Sequence, residues 1–148
     1  MTTHIRNLEP RDQRRWLELW DDYNRFYHRE PSDEISRHLW KRLFDPAVPV
    51  HGLVAESDGQ VVGIAHYLIH DSTSKLTPVC YLQDLYVDPT LRGGGIGRRL
   101  IDHLVKEMKS HGWSRLYWHT RENNYRARGL YDSYAPHSGF LRYVVENG

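Results

Sequence analysis

The chain has 148 residues, of which 39% are hydrophobic and 26% charged, and its formal net charge is +1. This length predicts a single domain over residues 1–148. The near-neutral charge argues against a nucleic-acid binder, whose surface normally carries a strong positive excess. The single cysteine, Cys80, excludes an intramolecular disulfide and suits a reducing cytoplasm, and the absence of membrane-length apolar stretches predicts no membrane contact. The ten histidines lack the paired spacing of a zinc site, so no metal is expected.

The first part of the chain predicts a short strand followed by two helices. The strand is expected over residues 4–8, and apolar residues at three- and four-residue steps predict a helix from residue 11 to about residue 28. After Pro31, Ser32 offers a capping hydroxyl to a second helix, which should end near Asp45-Pro46. The buried stripe of this second helix is expected to consist of Ile35, Leu39 and Leu43.

The remainder predicts alternating strands and helices. Residues 51–57 and 60–69 flank Asp58-Gly59, a two-residue loop typical of a type I′ hairpin. A further strand is expected from residue 79 to 87, followed by a helix that four glycines introduce and Gly112 ends. The last predicted elements are a strand over residues 113–120, parallel to the preceding one, a helix over residues 123–134 and a final strand over residues 140–146.

A glycine-rich stretch joins the strand ending at Val87 to the helix that follows. Glycines at a helix entrance leave backbone N–H groups uncovered at the positive end of the helix dipole, which favours binding of a phosphate or pyrophosphate. A Walker loop would need Lys-Ser/Thr after Gly97, where the chain has Arg98-Arg99. A dinucleotide fingerprint would need a small residue at Leu100. Neither nucleotide motif fits.

The pattern that does fit is Arg92-x-x-Gly95-x-Gly97, which resembles the acyl-CoA pyrophosphate loop of the GCN5-related N-acetyltransferases, the GNAT family. A second block, Asn124-x-x-Ala127-x-x-Leu130-Tyr131, resembles the other motif of that family. The resemblance covers roughly residues 50–148 and is nearest in look to the branch of Hpa2-type histone and polyamine acetyltransferases. It implies an α/β (α+β) fold: a mostly antiparallel mixed sheet with a splayed parallel pair, flanked by about four helices.

The resemblance also implies acetyl-CoA as cosubstrate and a role for each matched residue. The strand backbone at Leu85 would pair with the pantetheine arm and offer an N–H to the thioester oxyanion, while N–H groups of the glycine loop would hold the pyrophosphate. Tyr131 would be the acid for the leaving thiolate. The implied cofactor-binding residues are Leu85, Tyr86, Val87, Arg92, Gly93, Gly94, Gly95, Ile96, Gly97, Arg98, Asn124 and Tyr131.

The general base is where the sequence departs from the polyamine-acetylating branch. There the strand reads Leu-Glu-Asp, whereas here it reads Leu82-Gln83-Asp84, and an amide cannot accept the proton. The sequence does not identify the base. The adjacent Asp84 is a candidate catalytic residue as a proton relay, but its side chain should point to the face opposite Gln83 unless a bulge re-aims it. His66 and His119 are candidate relays.

The pKa of the acceptor bears on this departure. Neutralising an alkylamine of pKa near 10.4 at pH 7 costs roughly 4 to 5 kcal/mol, against about 1.4 kcal/mol for an α-amine near 8. A weak base is therefore more tolerable for an α-amino acceptor than for a polyamine.

The acceptor site is expected beside the first two helices. Tyr23, Tyr27, Glu30 and Gln83 are the predicted substrate-binding residues; acidic side chains there would receive a cationic amine, and Arg29 would receive a carboxylate. The resemblance implies direct acetyl transfer to the primary amine of a small molecule, amino acid-like or polyamine. The alternatives are an acyl-CoA-binding regulatory module with little catalysis and a protein or histone lysine acetyltransferase. An apolar last strand without the hairpin partner usual in the family predicts a homodimer through the C-terminal strand.

Overall fold

The computed structural model describes residues 2–148. They divide into two compact units, one ending at Trp118 and one beginning at His119. The strands are β1 (Thr3–Asn7), β2 (Val50–Ser57), β3 (Gln60–His70), β4 (Val79–Val87) and β5 (Arg115–Tyr117), and the helices are α1 (Gln13–Phe26), α2 (Asp33–Leu43), α3 (Ile96–His111) and α4 (Tyr125–Tyr131). Short 3-10 turns, Pro10–Asp12 and Pro89–Leu91, precede α1 and the glycine loop. No helix among residues 2–148 has the length and apolar character needed to cross a bilayer.

One sheet with the strand order β1-β2-β3-β4-β5 forms the centre of the first unit. The first four strands pair antiparallel, and β4 pairs parallel with β5. Asp58 and Gly59 have φ angles of 51° and 81°, the two positive values that a type I′ turn requires. The predicted hairpin and the mostly antiparallel mixed sheet with one parallel pair are therefore confirmed.

Helices α1 and α2 bury an aromatic core against one face of the sheet, with Trp16 and Leu19 only 1% exposed. Ser32 caps α2 as predicted, because its hydroxyl accepts from the Ile35 N–H at 3.2 Å. The prediction that Ile35 lies on the buried face of α2 is wrong, because this residue is 60% exposed. The helix instead turns Ser36 inward, where the Ser36 hydroxyl accepts from the Trp20 indole at 3.2 Å.

Helix α3 contributes fully buried side chains to the core, Leu100, Ile101 and Leu104. Gly63 of β3 faces this helix, since a Cβ there would lie 3.4 Å from side-chain atoms of Ile96 and Leu100. Cys80 of β4 is completely buried, and burial raises the pKa of its thiol to about 12. It is thus an inert packing residue.

An ion pair fastens β1 to the turn that precedes α1. Arg6 donates from its two terminal nitrogens to the two carboxylate oxygens of Asp12, at 2.8 and 2.9 Å. Burial alone would raise the pKa of Asp12, but the hydrogen bonds from Arg6 and from the Glu9 backbone lower it below its ordinary value. The pair is bidentate and nearly buried on the Asp12 side, so removal of either partner would leave the other charge poorly compensated.

The C-terminal unit differs from prediction in one main respect. Helix α4 is present, but residues 135–148 form neither helix nor strand, so the predicted final strand over residues 140–146 is wrong. A strand needs a neighbour to take its backbone N–H and C=O groups, and in this segment the side chains stay in solvent: Phe140 is 91% exposed and Val145 98%. In the first unit, the strand predicted over residues 113–120 is shortened to Arg115–Tyr117.

Candidate active site

A bulge in β4 places Asp84 on the α1 face of the sheet. Asp84 pairs with His66 of β3 and Leu82 pairs with Tyr67, so Gln83 is an extra residue with no partner across the ladder. In a regular strand that included Gln83 as a paired residue, Leu82 and Asp84 would share a face, because side chains alternate along a strand. The bulge that would re-aim Asp84 is therefore present, and Asp84 is buried whereas Gln83 is exposed.

A buried hydrogen-bond chain runs from α1 to this carboxylate. The Trp16 indole Nε1 donates to His66 Nε2 at 2.9 Å, and His66 Nδ1 lies 3.0 Å from Asp84 Oδ2. Since an indole N–H can only donate, Nε2 of His66 accepts and the ring proton stands on Nδ1, from which it is donated to Asp84. The chain thus fixes the tautomer of His66 and orients the Asp84 carboxylate. The sequence pattern marks Trp16 only as a core residue, and nothing in its spacing signals the indole donor.

Tyr23 of α1 reaches the same bulge. Its hydroxyl donates to the backbone carbonyl of Gln83 at 3.4 Å, and its ring meets the Tyr86 ring edge to face at 6.0 Å. Burial, the charge of Asp84 and a hydrogen bond to it raise the pKa of Tyr23 well above its ordinary value, while the charge of Arg29 opposes this. The phenol therefore stays protonated and stands beside the carboxylate.

The rest of the predicted acceptor wall is more open. Tyr27 is partly buried and packs edge to face on Tyr23 at 5.0 Å, whereas Glu30 is exposed. Arg29 lies over both tyrosine rings, with its guanidinium carbon 5.4 Å from the Tyr23 centroid and 5.5 Å from that of Tyr27. Of the predicted substrate-binding residues, the structure brings Tyr23, Tyr27 and the backbone of Gln83 together.

The far edge of β4 is open beyond the bulge. Because the Asp88 N–H donates to Val62 O on the β3 side at 2.8 Å and N–H groups alternate, those of Leu85 and Val87 point to the opposite edge. Strand β5 covers that edge only from Val79 to Tyr81, and no other strand among residues 2–148 pairs there. The splay between the two parallel strands is confirmed, and it leaves a backbone donor at Leu85 facing an unfilled strand position.

The glycine loop has the geometry of an anion cradle. Gly93 and Gly95 have φ angles of 90° and 80°, and Gly95 is the residue from which α3 begins. Within residues 2–148, the N–H groups of Gly95, Ile96 and Gly97 donate to no protein acceptor. These donors and the positive end of a 16-residue helix fit the pyrophosphate that the sequence motif predicts.

Two arginines hold the loop to the rest of the site. Arg92 lies over the rings of Phe26 and Tyr86, at 5.5 and 5.2 Å. Arg15 of α1 donates to the Asp88 carboxylate at 2.7 Å and to the Val61 carbonyl at 2.8 Å, and Asp88 in turn accepts from the Thr90 N–H at 3.0 Å. Helix α1 thereby fixes the turn that leads into the glycine loop. The distance of 73 residues between Arg15 and Asp88 hides this brace from sequence patterns.

The second predicted motif lies at the two ends of α4 in the C-terminal unit. Asn124 precedes the helix. Its side-chain amide nitrogen donates to the Thr120 hydroxyl at 3.2 Å, and its backbone carbonyl accepts from the Arg128 N–H at 3.0 Å. Tyr131 is the last residue of the helix. Asn124 thus organises the entrance of the helix that carries Tyr131.

Known proteins share this architecture and sequence. Residues 14–134 match the model of the Acetyltransferase (GNAT) family. The chain is 33% identical over 133 residues to the D-amino-acid N-acetyltransferase HPA3 of Saccharomyces cerevisiae, a match covering 88% of this chain and 83% of that protein. The ribosomal-protein-alanine N-acetyltransferase of Brucella melitensis biovar Abortus 2308 superposes with a TM-score of 0.79 at 26% identity, over 99% of this chain and 100% of that one.

A third similar structure shares the fold. It is AAC(6')-Iy in complex with a bisubstrate analog, CoA-S-monomethyl-acetylneamine, which shares the fold with a TM-score of 0.82 at 18% identity over 100% of both chains. A family match over most of the chain and a relative at 33% identity agree with the glycine cradle and the splayed strands. The chain belongs to the GNAT family and is an N-acetyltransferase that uses acetyl-CoA.

Proposed function

We propose that this enzyme transfers the acetyl group of acetyl-CoA directly to the primary amine of a small molecule, and that α-amino compounds are better acceptors than polyamines. The observation that carries the proposal is the position of Asp84, which the β4 bulge turns toward α1 and which His66 and Trp16 hold in place. The similar yeast enzyme is named for D-amino acids, and the aminoglycoside N(6')-acetyltransferase type 1 of Stenotrophomonas maltophilia, 33% identical over 104 residues, is named for another small amine.

Each proposed catalytic residue has one task. Acetyl-CoA supplies an activated acyl carbon, to which the neutral amine adds as the C–N bond forms and from which the C–S bond then breaks. Asp84 takes the proton that the amine nitrogen loses, directly or through one water. The N–H of Leu85, which points to the open edge of β4, stabilises the negative charge on the carbonyl oxygen. Tyr131 gives a proton to the leaving thiolate.

The proposed binding roles follow the cradle and the open strand edge. Leu85, Tyr86 and Val87 offer their backbone to the pantetheine arm as to an added strand. Arg92, Gly93, Gly94, Gly95, Ile96, Gly97 and Arg98 surround the pyrophosphate, and Asn124 positions the helix that ends at Tyr131. Tyr23, Tyr27, Glu30 and Gln83 border the acceptor.

The test is the release of CoA thiol from acetyl-CoA with a panel of acceptors. The panel contains L- and D-amino acids, their amides, spermidine, an aminoglycoside and a lysine-containing peptide. We expect the highest kcat/KM with an α-amine. Tight acetyl-CoA binding without thiol release on any acceptor would identify a binding module, and a peptide lysine or spermidine exceeding every α-amine by orders of magnitude would overturn the acceptor class.

The role of Tyr131 is tested by Tyr131→Phe. Loss of the acid should lower kcat by about 10- to 100-fold, with the acetyl-CoA KM changed little. Unaltered turnover in a folded variant would remove Tyr131 from the mechanism.

We make three further proposals about the protein as a whole: it is a single domain, it is cytoplasmic and it forms a homodimer. The dimer proposal is supported by the C-terminal segment, where Phe140, Leu141, Tyr143 and Val145 expose large apolar side chains. Sedimentation should give a dimer mass that falls to the monomer mass when residues 140–148 are deleted. A concentration-independent monomer would contradict it.

A further inference from the structure

A tight turn at the end of α1 folds Arg29 back onto the helix. The helix ends at Phe26, and His28 adopts a positive φ of 58°, a conformation that non-glycine residues rarely take. The N–H of Arg29 then donates to the carbonyl of Asn24 at 2.8 Å. The turn therefore directs Arg29 toward the aromatic residues of α1.

A buried amide fixes the direction of the Arg29 side chain. Asn24 is 8% exposed; its nitrogen donates to the Trp20 carbonyl at 2.9 Å and its oxygen accepts from Arg29 Nε at 3.0 Å. The guanidinium plane also rests on the Tyr23 and Tyr27 rings. A surface arginine normally loses much side-chain entropy when it binds a ligand. The Arg29 side chain is already ordered in the folded protein, so ligand binding would cost less entropy.

The terminal nitrogens of Arg29 carry no protein partner. Within the described part of the chain, Arg29 forms no ion pair, and its only side-chain hydrogen bond uses Nε. The arginines at Arg6 and Arg15, by contrast, each engage a carboxylate of this chain. Arg29 thus presents an oriented fork of N–H donors, which matches the two oxygens of a carboxylate.

The charges on the two sides of Tyr23 have opposite sign. The Asp84 carboxylate lies by the tyrosine hydroxyl, and the Arg29 guanidinium lies over its ring, so both charges act on the same phenol. An ammonium group is attracted to the first and repelled by the second, whereas a carboxylate behaves in the opposite way. Because both charges act on one tyrosine side chain, the arrangement suits a compact molecule carrying both groups.

We propose that Arg29, held by Asn24, Tyr23 and Tyr27, binds the carboxylate of the acceptor, so that the enzyme selects zwitterionic amino acids over amines that lack a carboxylate. The inference rests on the proposed function, because it assumes that the acceptor amine lies beside Asp84. It adds a specificity-determining residue to that reaction. A polyamine would place a second positive charge against Arg29, which explains the preference in electrostatic terms.

The experiment compares matched acceptors in matched variants. Phenylalanine of either configuration and phenethylamine, which differ only in the carboxylate, are assayed with the wild type, Arg29→Gln and Arg25→Gln. Arg25 is an exposed arginine of the same helix end that pairs with Asp22 at 3.2 Å, so its replacement controls for a general loss of charge. Arg29→Lys keeps the charge but loses the fork.

We expect Arg29→Gln to lower kcat/KM for the preferred phenylalanine by about 10- to 100-fold and to leave phenethylamine unchanged or improved. Arg29→Lys should recover part of the loss, and Arg25→Gln should change neither substrate. Equal loss on both acceptors, or no loss on either, would overturn the assignment of Arg29.

Calorimetry separates this inference from the proposed function. Binding of phenylalanine to the CoA-saturated enzyme needs no turnover, and it should weaken about tenfold or more in Arg29→Gln. Arg29-dependent binding without thiol release from acetyl-CoA would retain the carboxylate site and refute the proposed reaction. Equal turnover of acceptors with and without a carboxylate would retain the proposed reaction and refute the carboxylate site at Arg29.

Discussion

Replacing Asp84 with asparagine removes the proposed base while retaining an oxygen that can accept from His66 Nδ1. General-base catalysis contributes typically 10²- to 10⁴-fold, or about 2.7 to 5.5 kcal/mol of barrier. The cost to stability is smaller, because a buried hydrogen bond to a charged acceptor becomes one to a neutral acceptor, a difference of about 1 kcal/mol. We therefore expect a Tm lower by only about 2 to 4 °C alongside a kcat/KM lower by at least about 100-fold at pH 7.

The pH profile distinguishes loss of a base from loss of structure. In Asp84→Asn only acceptor molecules that are already neutral can react, so kcat/KM should rise about tenfold per pH unit toward the acceptor's own pKa. The gap to the wild type should narrow over the same interval. Thiol release measured from pH 6 to 10, with the exposed loop residue changed in Asp71→Asn as control, gives both profiles. A variant that keeps more than a third of wild-type kcat/KM at pH 7, with a parallel profile, would refute the role of Asp84.

Three further predictions concern the scaffold of the site. Trp16→Phe leaves His66 Nε2 buried without a donor, which should cost about 1–3 kcal/mol of stability and alter the pH profile of turnover. Trp20→Phe removes an indole N–H that bonds to Ser36 and not to His66, so it should lower the Tm without altering that profile. Gly95→Ala and Gly59→Ala should each lose about 1–2 kcal/mol of stability because both glycines have positive φ, but only Gly95→Ala should raise the acetyl-CoA KM. Asp12→Asn should destabilise the fold by up to about 3 kcal/mol above pH 4. Since its folded-state pKa is lowered, the contribution of Asp12 is present above the unfolded-state pKa and lost as pH falls through the folded-state pKa, so urea unfolding of this variant and the wild type should converge once the pH lies below the folded-state pKa.

Local chemistry made much of the fold predictable from the sequence. The Asp58-Gly59 turn, the Ser32 cap and the boundaries of β4 each depend on neighbouring residues, and each agrees with the structure. The final strand failed because strand formation depends on a partner edge, which apolar composition at residues 140–146 does not supply. Ile35 failed because the direction in which a helix packs is set by its neighbours as well as by its own apolar spacing.

The candidate site also contains features that local sequence predicts and contacts that only the fold creates. The glycine loop could be predicted, because it requires a fixed spacing within a few residues. The hydrogen bonds from Trp16 to His66 and from Arg15 to Asp88 span 50 and 73 residues, so only the fold brings their partners together. The direction of the Asp84 side chain depends on whether Gln83 is left unpaired between β3 and β4. The residues next to Gln83 in the sequence do not determine this.

The bulge in β4 depends on the presence of an extra residue at position 83 and not on the side chain of that residue. If Gln83 were deleted, Leu82 and Asp84 would become neighbours on opposite faces, which are the faces they occupy already. The packing of the sheet therefore does not require the extra residue. Gln83 affects only the course of the main chain where β4 and β5 diverge. Because Gln83 contributes its carbonyl to Tyr23 while its side chain is exposed, this position tolerates chemical variation that its neighbour Asp84 does not. Deletion of Gln83 would thus keep Asp84 on its present face and should disturb acyl transfer less than replacement of Asp84.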